Sequence, residues 1–153
     1  GGFKIKSVKD ASGKALNFTI NATMMRIDLP QTLGPNQKYV FSVEWSFNIN
    51  DRMKGLTPND GRSGMEFFPQ DGNYVYIIAQ WFPRMCVYDD VVGWQNKQFL
   101  GQGEFTLTFG NYNVNLTVPA DHIVAATGMV QNAKEVLTPE QFSRFEKAKT
   151  TFD

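Results

Sequence analysis

The chain has one cysteine, Cys86, one histidine, His122, and no excess of charge of either sign. A lone cysteine closes no disulfide within the chain and forms no C-x-x-C metal knuckle; as a small apolar side chain it reads first as a packing residue. A lone histidine cannot supply the several imidazoles of a catalytic zinc site, and no H-E-x-x-H occurs. Lys plus Arg and Asp plus Glu are equal at 15 each, so no basic field exists to hold nucleic acid or an anionic membrane. No apolar run approaches the roughly 18 residues of a membrane span, and no charged, then apolar leader opens the chain. The G-x-S-x-G, P-loop and G-x-G-x-x-G signatures are missing too, and "GQG" at Gly101 to Gly103 is too short to cradle a phosphate.

What is present suits one globular domain. A chain of 153 residues, 42% hydrophobic and 20% charged, can bury a core without disulfides or metal. We expect a single β-domain over residues 1–153. It starts at "GGFKIKSV", almost inside a strand, and ends at "TFD" without a further element. Both ends therefore read as cut from a larger domain.

The recurring signal has period two. "FSVEWSFNIN" sets Phe41, Val43, Trp45, Phe47 and Ile49 on one face and Ser42, Glu44, Ser46, Asn48 and Asn50 on the other, a half-buried strand. "FKIKSV" and "ALNFTINATMMRIDL" read as shorter strands, with "DASGK" and "NAT" as turns. Downstream, "EFTLTFGNYNVNLTVP" reads as two strands about Gly110-Asn111, carrying Phe105, Leu107, Phe109, Val114, Leu116 and Val118 inward, and "HIVAATG" as one more. "NDRMKGLTPNDGRSG", "PQDGN" and the Cys86 to Gly103 connection are the long or turn-rich loops, where functional or interfacial residues concentrate. Only "LTPEQFSRFEKAKT" is helical, with Thr138 as N-cap, Pro139 in the first turn and Gln141 completing a capping box. The expected fold is all-β, an antiparallel sandwich or saddle-shaped sheet with a short C-terminal helix.

Catalytic chemistry is sparse. A Cys86/His122 nucleophile pair would need the two side by side, and nothing in the sequence brings them together. The Asp89-Asp90 pair does not suit glycoside hydrolysis, because neighbours in an extended chain face opposite ways. One of them is expected to cap a turn and the other to pair with a cation such as Arg84. Trp81, Phe82, Tyr88 and Trp94 cluster in a short span and fit either core and interface packing or a sugar-binding face.

The segments also carry a resemblance. An alternating strand, a loop, "YVYIIAQWFPRMCVYDD", a connection and then "GEFTLTFGNYNVNLTVPADHIVAATG" resemble the amino-terminal β-domain of the gluzincin zinc aminopeptidases, the aminopeptidase N family. The family's Cys-x-aromatic-Asp-acid element corresponds to "MCVYDD", Met85 to Asp90, and its Val-Pro strand end to "LTVPADHIVAATG". The likeness spans nearly the whole chain. Val91 stands where the family has proline, Phe82-Pro83 comes early, and "VVGWQNKQFLGQG" is a longer connection than usual.

The resemblance implies a non-catalytic domain of a zinc-dependent aminopeptidase-like metallopeptidase, with no cofactor in this segment. Zinc is then expected in a separate catalytic domain of the same parent chain, held there by H-E-x-x-H and a further Glu. The β-domain packs on that domain and supplies a Gln or Glu near the amino terminus of the peptide substrate. The matching position is Gln80, with Trp81 and Phe82 as walls of the pocket. If the strand alternation ran on, Gln80 would share a face with Tyr74, Tyr76, Ile78 and Phe82. The rival is a carbohydrate- or surface-binding module using Trp81, Tyr88 and Trp94 as exposed coplanar rings. A scaffold domain whose catalytic half has degenerated is a third reading. Three sequons, at Asn17, Asn21 and Asn115, and the single cysteine lean toward export without fixing a compartment.

Overall fold

β1 (Lys4–Asp10) and β4 (Phe41–Ser46) form the longest antiparallel ladder. The β4 alternation appears from Phe41 to Trp45, with Phe41, Val43 and Trp45 half-buried and Ser42 and Glu44 exposed; it lapses beyond, where Ser46 is half-buried and Ile49, expected inward, is exposed. β1 is less regular. Its apolar residues Ile5 and Val8 are three apart, a spacing that would place them on opposite faces of a regular strand. A register shift between Ile5 and Ser7 corrects this, pairing Ile5 with Trp45 and Val8 with Val43 on one face. Val8, only 2% exposed, is the buried centre of the ladder. The expected strand continues to Asn50, but the ladder stops at Ser46 because its partner, Lys4, lies at the start of β1.

The "DASGK" turn folds the chain back onto β1. The Asp10 carboxylate accepts from the Ser12 amide at 2.9 Å, the Ser12 hydroxyl at 2.6 Å and the Lys14 amide at 3.0 Å. The Leu16 amide then donates to the Val8 carbonyl at 2.9 Å, and Leu16 is buried beside it. β2 (Phe18–Asn21) and β3 (Met24–Ile27) follow as a tight hairpin, with Ala22 at φ +49° in the "NAT" turn.

β5 (Gly64–Phe68) and β6 (Asn73–Ile77) pair through the "PQDGN" turn. A single 3₁₀ turn at Arg52–Lys54 leads toward β5, and the Met65 amide donates to the Asn50 carbonyl at 2.7 Å. That approach is close enough to require glycine next door. A Cβ on Gly64 would lie 2.6 Å from the Asn50 carbonyl oxygen and 2.5 Å from Arg52 Cγ. The last ladder is short, β7 (Tyr88–Asp89) with β8 (Gly93–Trp94).

The computed structural model describes residues 2–54, 63–100 and 106–151, in two compact units, Gly1–Gly110 and Asn111–Asp153. The fold is all-β with a short C-terminal helix, and each of the four ladders among the described residues is antiparallel and two-stranded. No helix among the described residues is long and apolar enough to cross a membrane.

The second unit holds α1 (Ala133–Val136) and α2 (Pro139–Ala148). The capping box forms as expected: Thr138 Oγ1 accepts from the Gln141 amide, and Gln141 Oε1 accepts from the Thr138 amide. Phe142 and Phe145 are half-buried, and Ala133 of α1 is buried. The strands expected about Gly110-Asn111 and at "HIVAATG" do not form, since residues 106–131 contain no strand. Leu107, Phe109, Val114, Leu116, Val118, Ile123 and Val124 are exposed, not inward; Phe105 lies outside the described residues. The physical reason is that alternation makes a strand possible, whereas a ladder of backbone partners makes it real.

Gly64→Ala should lower unfolding stability by about 1–3 kcal/mol, the usual cost of forcing atoms into a closed space. Urea unfolding of the pure protein measures it, and an unchanged midpoint would show that the Asn50 to Gly64 approach is not tight in solution.

Candidate functional site

The irregular stretch after β6 is built by clamps from two ladders. Continuing the β5/β6 register past Gly64 and Ile77 brings Ser63 beside Ile78 and Ala79. The Ser63 hydroxyl accepts from the Ala79 amide at 2.9 Å and donates to the Ala79 carbonyl at 3.3 Å. The next residue, Gln80, takes φ +51°, a left-handed backbone rare for a side chain that carries a Cβ. The strand ends here. The alternation that would have set Gln80 on the face of Tyr74, Tyr76, Ile78 and Phe82 does not carry through, because β6 stops at Ile77.

Beyond the corner, the Trp81 carbonyl accepts from Trp45 Nε1 at 3.0 Å, and the two indoles stack at 6.4 Å with 29° between planes. Phe82 meets Trp81 edge-on at 5.0 Å, and the Arg84 guanidinium lies 5.3 Å from the Phe82 centroid. Phe3 packs edge-on against Trp45 at 6.4 Å and against Phe47 at 5.7 Å. Trp81 and Phe82 are half-buried, whereas Gln80 is exposed. Among the described residues its amide makes no hydrogen bond. Gln80, Trp81 and Phe82 are consecutive, and at this corner an open amide lies next to a packed pair of aromatic rings.

The β7/β8 hairpin carries the second aromatic group. Tyr88 and Trp94 are 64% and 57% exposed, but their rings meet at 72°, perpendicular and not coplanar. The Asp89 carboxylate caps the turn between them, accepting from the Val92 amide at 2.8 Å, the Val91 amide at 3.0 Å and Gln95 Nε2 at 2.7 Å. These bonds, the Val92 amide's foremost, hold the Asp89 carboxyl below the ordinary aspartate range. Arg84 does not pair with Asp90; it lies over Phe82.

A third exposed set runs along the β5/β6 hairpin. Phe67 and Tyr74, directly opposite across the ladder, lie 4.8 Å apart, and Tyr76 stacks on Tyr74 at 6.3 Å. Every residue of β6 is exposed.

Elsewhere the chemistry is thin. Cys86 is half-buried with a free thiol. His122 Nδ1 is 2.7 Å from Asp121 Oδ1, and that contact pulls the Asp121 carboxyl downward. No group of three His, Cys, Asp or Glu among the described residues could hold a metal ion. No protein-family model, curated protein or solved structure matches the chain.

Ser63 was not legible as a site residue. It falls at the end of the long "NDRMKGLTPNDGRSG" loop, and only that loop's length marks it. Trp45 reads from sequence as a core residue of β4, and its indole N–H bond has no sequence signal.

Asp89 gives a pH prediction. A carboxylate whose folded pKa is depressed contributes stability that is complete above its unfolded pKa, about 4, and is lost as pH falls through the folded value. The β7/β8 turn should therefore hold at neutral pH and loosen below about pH 4. Asp89→Asn should remove that dependence. The backbone amide resonances of Val91 and Val92, followed by NMR through the acid range, report the turn, and an identical acid transition in Asp89→Asn would count against Asp89.

Proposed function

We propose that this chain is the non-catalytic β-domain of a zinc aminopeptidase-like metallopeptidase, and that it helps form the pocket for the amino terminus of a peptide substrate. The observation that carries the reading is the exposed, unbonded amide of Gln80 at a left-handed corner flanked by Trp81 and Phe82. An amide oxygen is an acceptor suited to an α-ammonium group, and aromatic walls exclude water around it without adding competing charge. The bond strengthens because its donor is charged.

The exposed apolar surface supports the packing half of the reading. Phe67, Tyr74, Val75, Tyr76, Ile77 and Ile78 lie together on one hairpin and its continuation, each between 39% and 53% exposed. Tyr74 and Tyr76 share one face with Phe67, while Val75 and Ile77 take the other, and exposed apolar side chains in such number mark interaction surfaces. In this account the partner is the metal-bearing catalytic domain of the same parent chain. Zinc chemistry belongs to that domain and not to these 153 residues. Export is the setting we favour for the parent.

The second reading, a carbohydrate-binding module, draws on the exposure of Tyr88 and Trp94. It requires saturable quenching of tryptophan fluorescence by glycans. The peptidase reading requires none.

In the full-length protein, Gln80→Ala should lower kcat/KM for peptides with a free amino terminus by about 10-fold to 100-fold, the worth of a hydrogen bond to a charged group. Unchanged kcat/KM across several amino-terminal residues would remove Gln80 from the site.

A further inference from the structure

Gln80 keeps a backbone conformation that glycine, and to a lesser degree asparagine and aspartate, adopt readily and other residues resist. Such a residue stays there only when its surroundings over-determine it. Its two neighbours are both held. Before the corner, one hydroxyl, that of Ser63, engages both backbone groups of Ala79, accepting at 2.9 Å and donating at 3.3 Å. After it, Trp45 Nε1 donates to the Trp81 carbonyl at 3.0 Å, and the stacked indoles fix the same residue through its side chain.

The clamps are independent in origin. Ser63 immediately precedes β5, and Trp45 sits in β4 of the other ladder, paired with Ile5. Among the described residues no hydrogen bond is made to the Gln80 side chain, which is left open to solvent. A corner held on both flanks with its own amide free is a preset contact, not a packing element.

We propose that Ser63 and Trp45 are positioning residues that preset the Gln80 amide for the amino terminus of a bound peptide. This rests on the reading of Gln80 as the amino-terminus contact, and it adds residues that touch no substrate. Loss of either clamp lets the corner relax toward ordinary backbone angles and displaces the amide. Displacements of about 1 Å at a positioning group cost up to 100-fold in rate or affinity. Because the amino terminus is bound alike before and during reaction, the loss falls on KM and not on kcat.

The test is steady-state kinetics of the full-length protein on a peptide with a free amino terminus. Ser63→Ala should raise KM about 10-fold or more and leave kcat within about twofold. Ser63→Thr, which keeps the hydroxyl, should keep the parent KM. Trp45→Phe should act like Ser63→Ala, and if it does not fold, the two Ser63 variants decide alone. Added to Gln80→Ala, Ser63→Ala should have no further effect, since both act through one amide. If Gln80→Ala raises KM and Ser63→Ala does not, or if the two effects add, the positioning role is overturned while the site stands. If Gln80→Ala is silent, or the protein hydrolyses no such peptide, the site reading falls and the positioning role falls with it.

Discussion

The hydrogen bond from Trp45 Nε1 to the Trp81 carbonyl ties the β1/β4 ladder to the chain that leaves β6. Indole has one donor and no acceptor, so when packed it must find a carbonyl, and this one lies just beyond a left-handed residue. Ser63 performs the matching task from the β5 side. Together these three bonds bracket Gln80, whose conformation costs about 1–2 kcal/mol against an ordinary backbone. A part-buried hydrogen bond at Trp81 and two exposed ones at Ala79, each worth about 0.5–1 kcal/mol, are of the right size to offset that. The exposed amide and the aromatic wall beside it are arranged by this bracket.

The rest of the chain buries little. Val8, Leu16 and Ala133 are the buried apolar residues among those described, while many large aliphatic and aromatic side chains of β6 and of residues 106–131 stay exposed. Four two-stranded ladders are also marginal as isolated units, because hairpins need a packed face to be stable. Both facts fit a domain whose apolar faces are completed by a partner, which is the sense of the proposed packing on a catalytic domain. Phe67, Tyr74 and Tyr76, open on one face of β5/β6, form an aromatic group of that kind.

Much of this was legible in residues whose signal is local. "FSVEWS" announces its face by alternation, Asp10 and Ser12 encode the first turn in their own side chains, and Thr138 with Gln141 encodes the helix start. The bulge between Ile5 and Ser7 was not legible in the sequence, where "FKIKSV" passes for a plain short strand. The failures share a cause. "NVNLTV" has the pattern of a strand but no ladder partner, and pattern cannot report on pairing. Only the family resemblance points to Gln80, and its left-handed backbone has no sequence signal because glutamine has no preference for it; that conformation is imposed from outside by Ser63 and Trp45.

The most direct test of the bracketed corner is to compare the unfolding stability of Gln80→Gly and Gln80→Ala. At a left-handed position glycine should be the more stable by about 1 kcal/mol, because alanine keeps the Cβ clash and glycine does not. At an ordinary strand position alanine should win by roughly 0.5–1 kcal/mol. A more stable glycine variant would confirm that the corner is held in solution. A more stable alanine variant would contradict it, and with it the account of how this site is built.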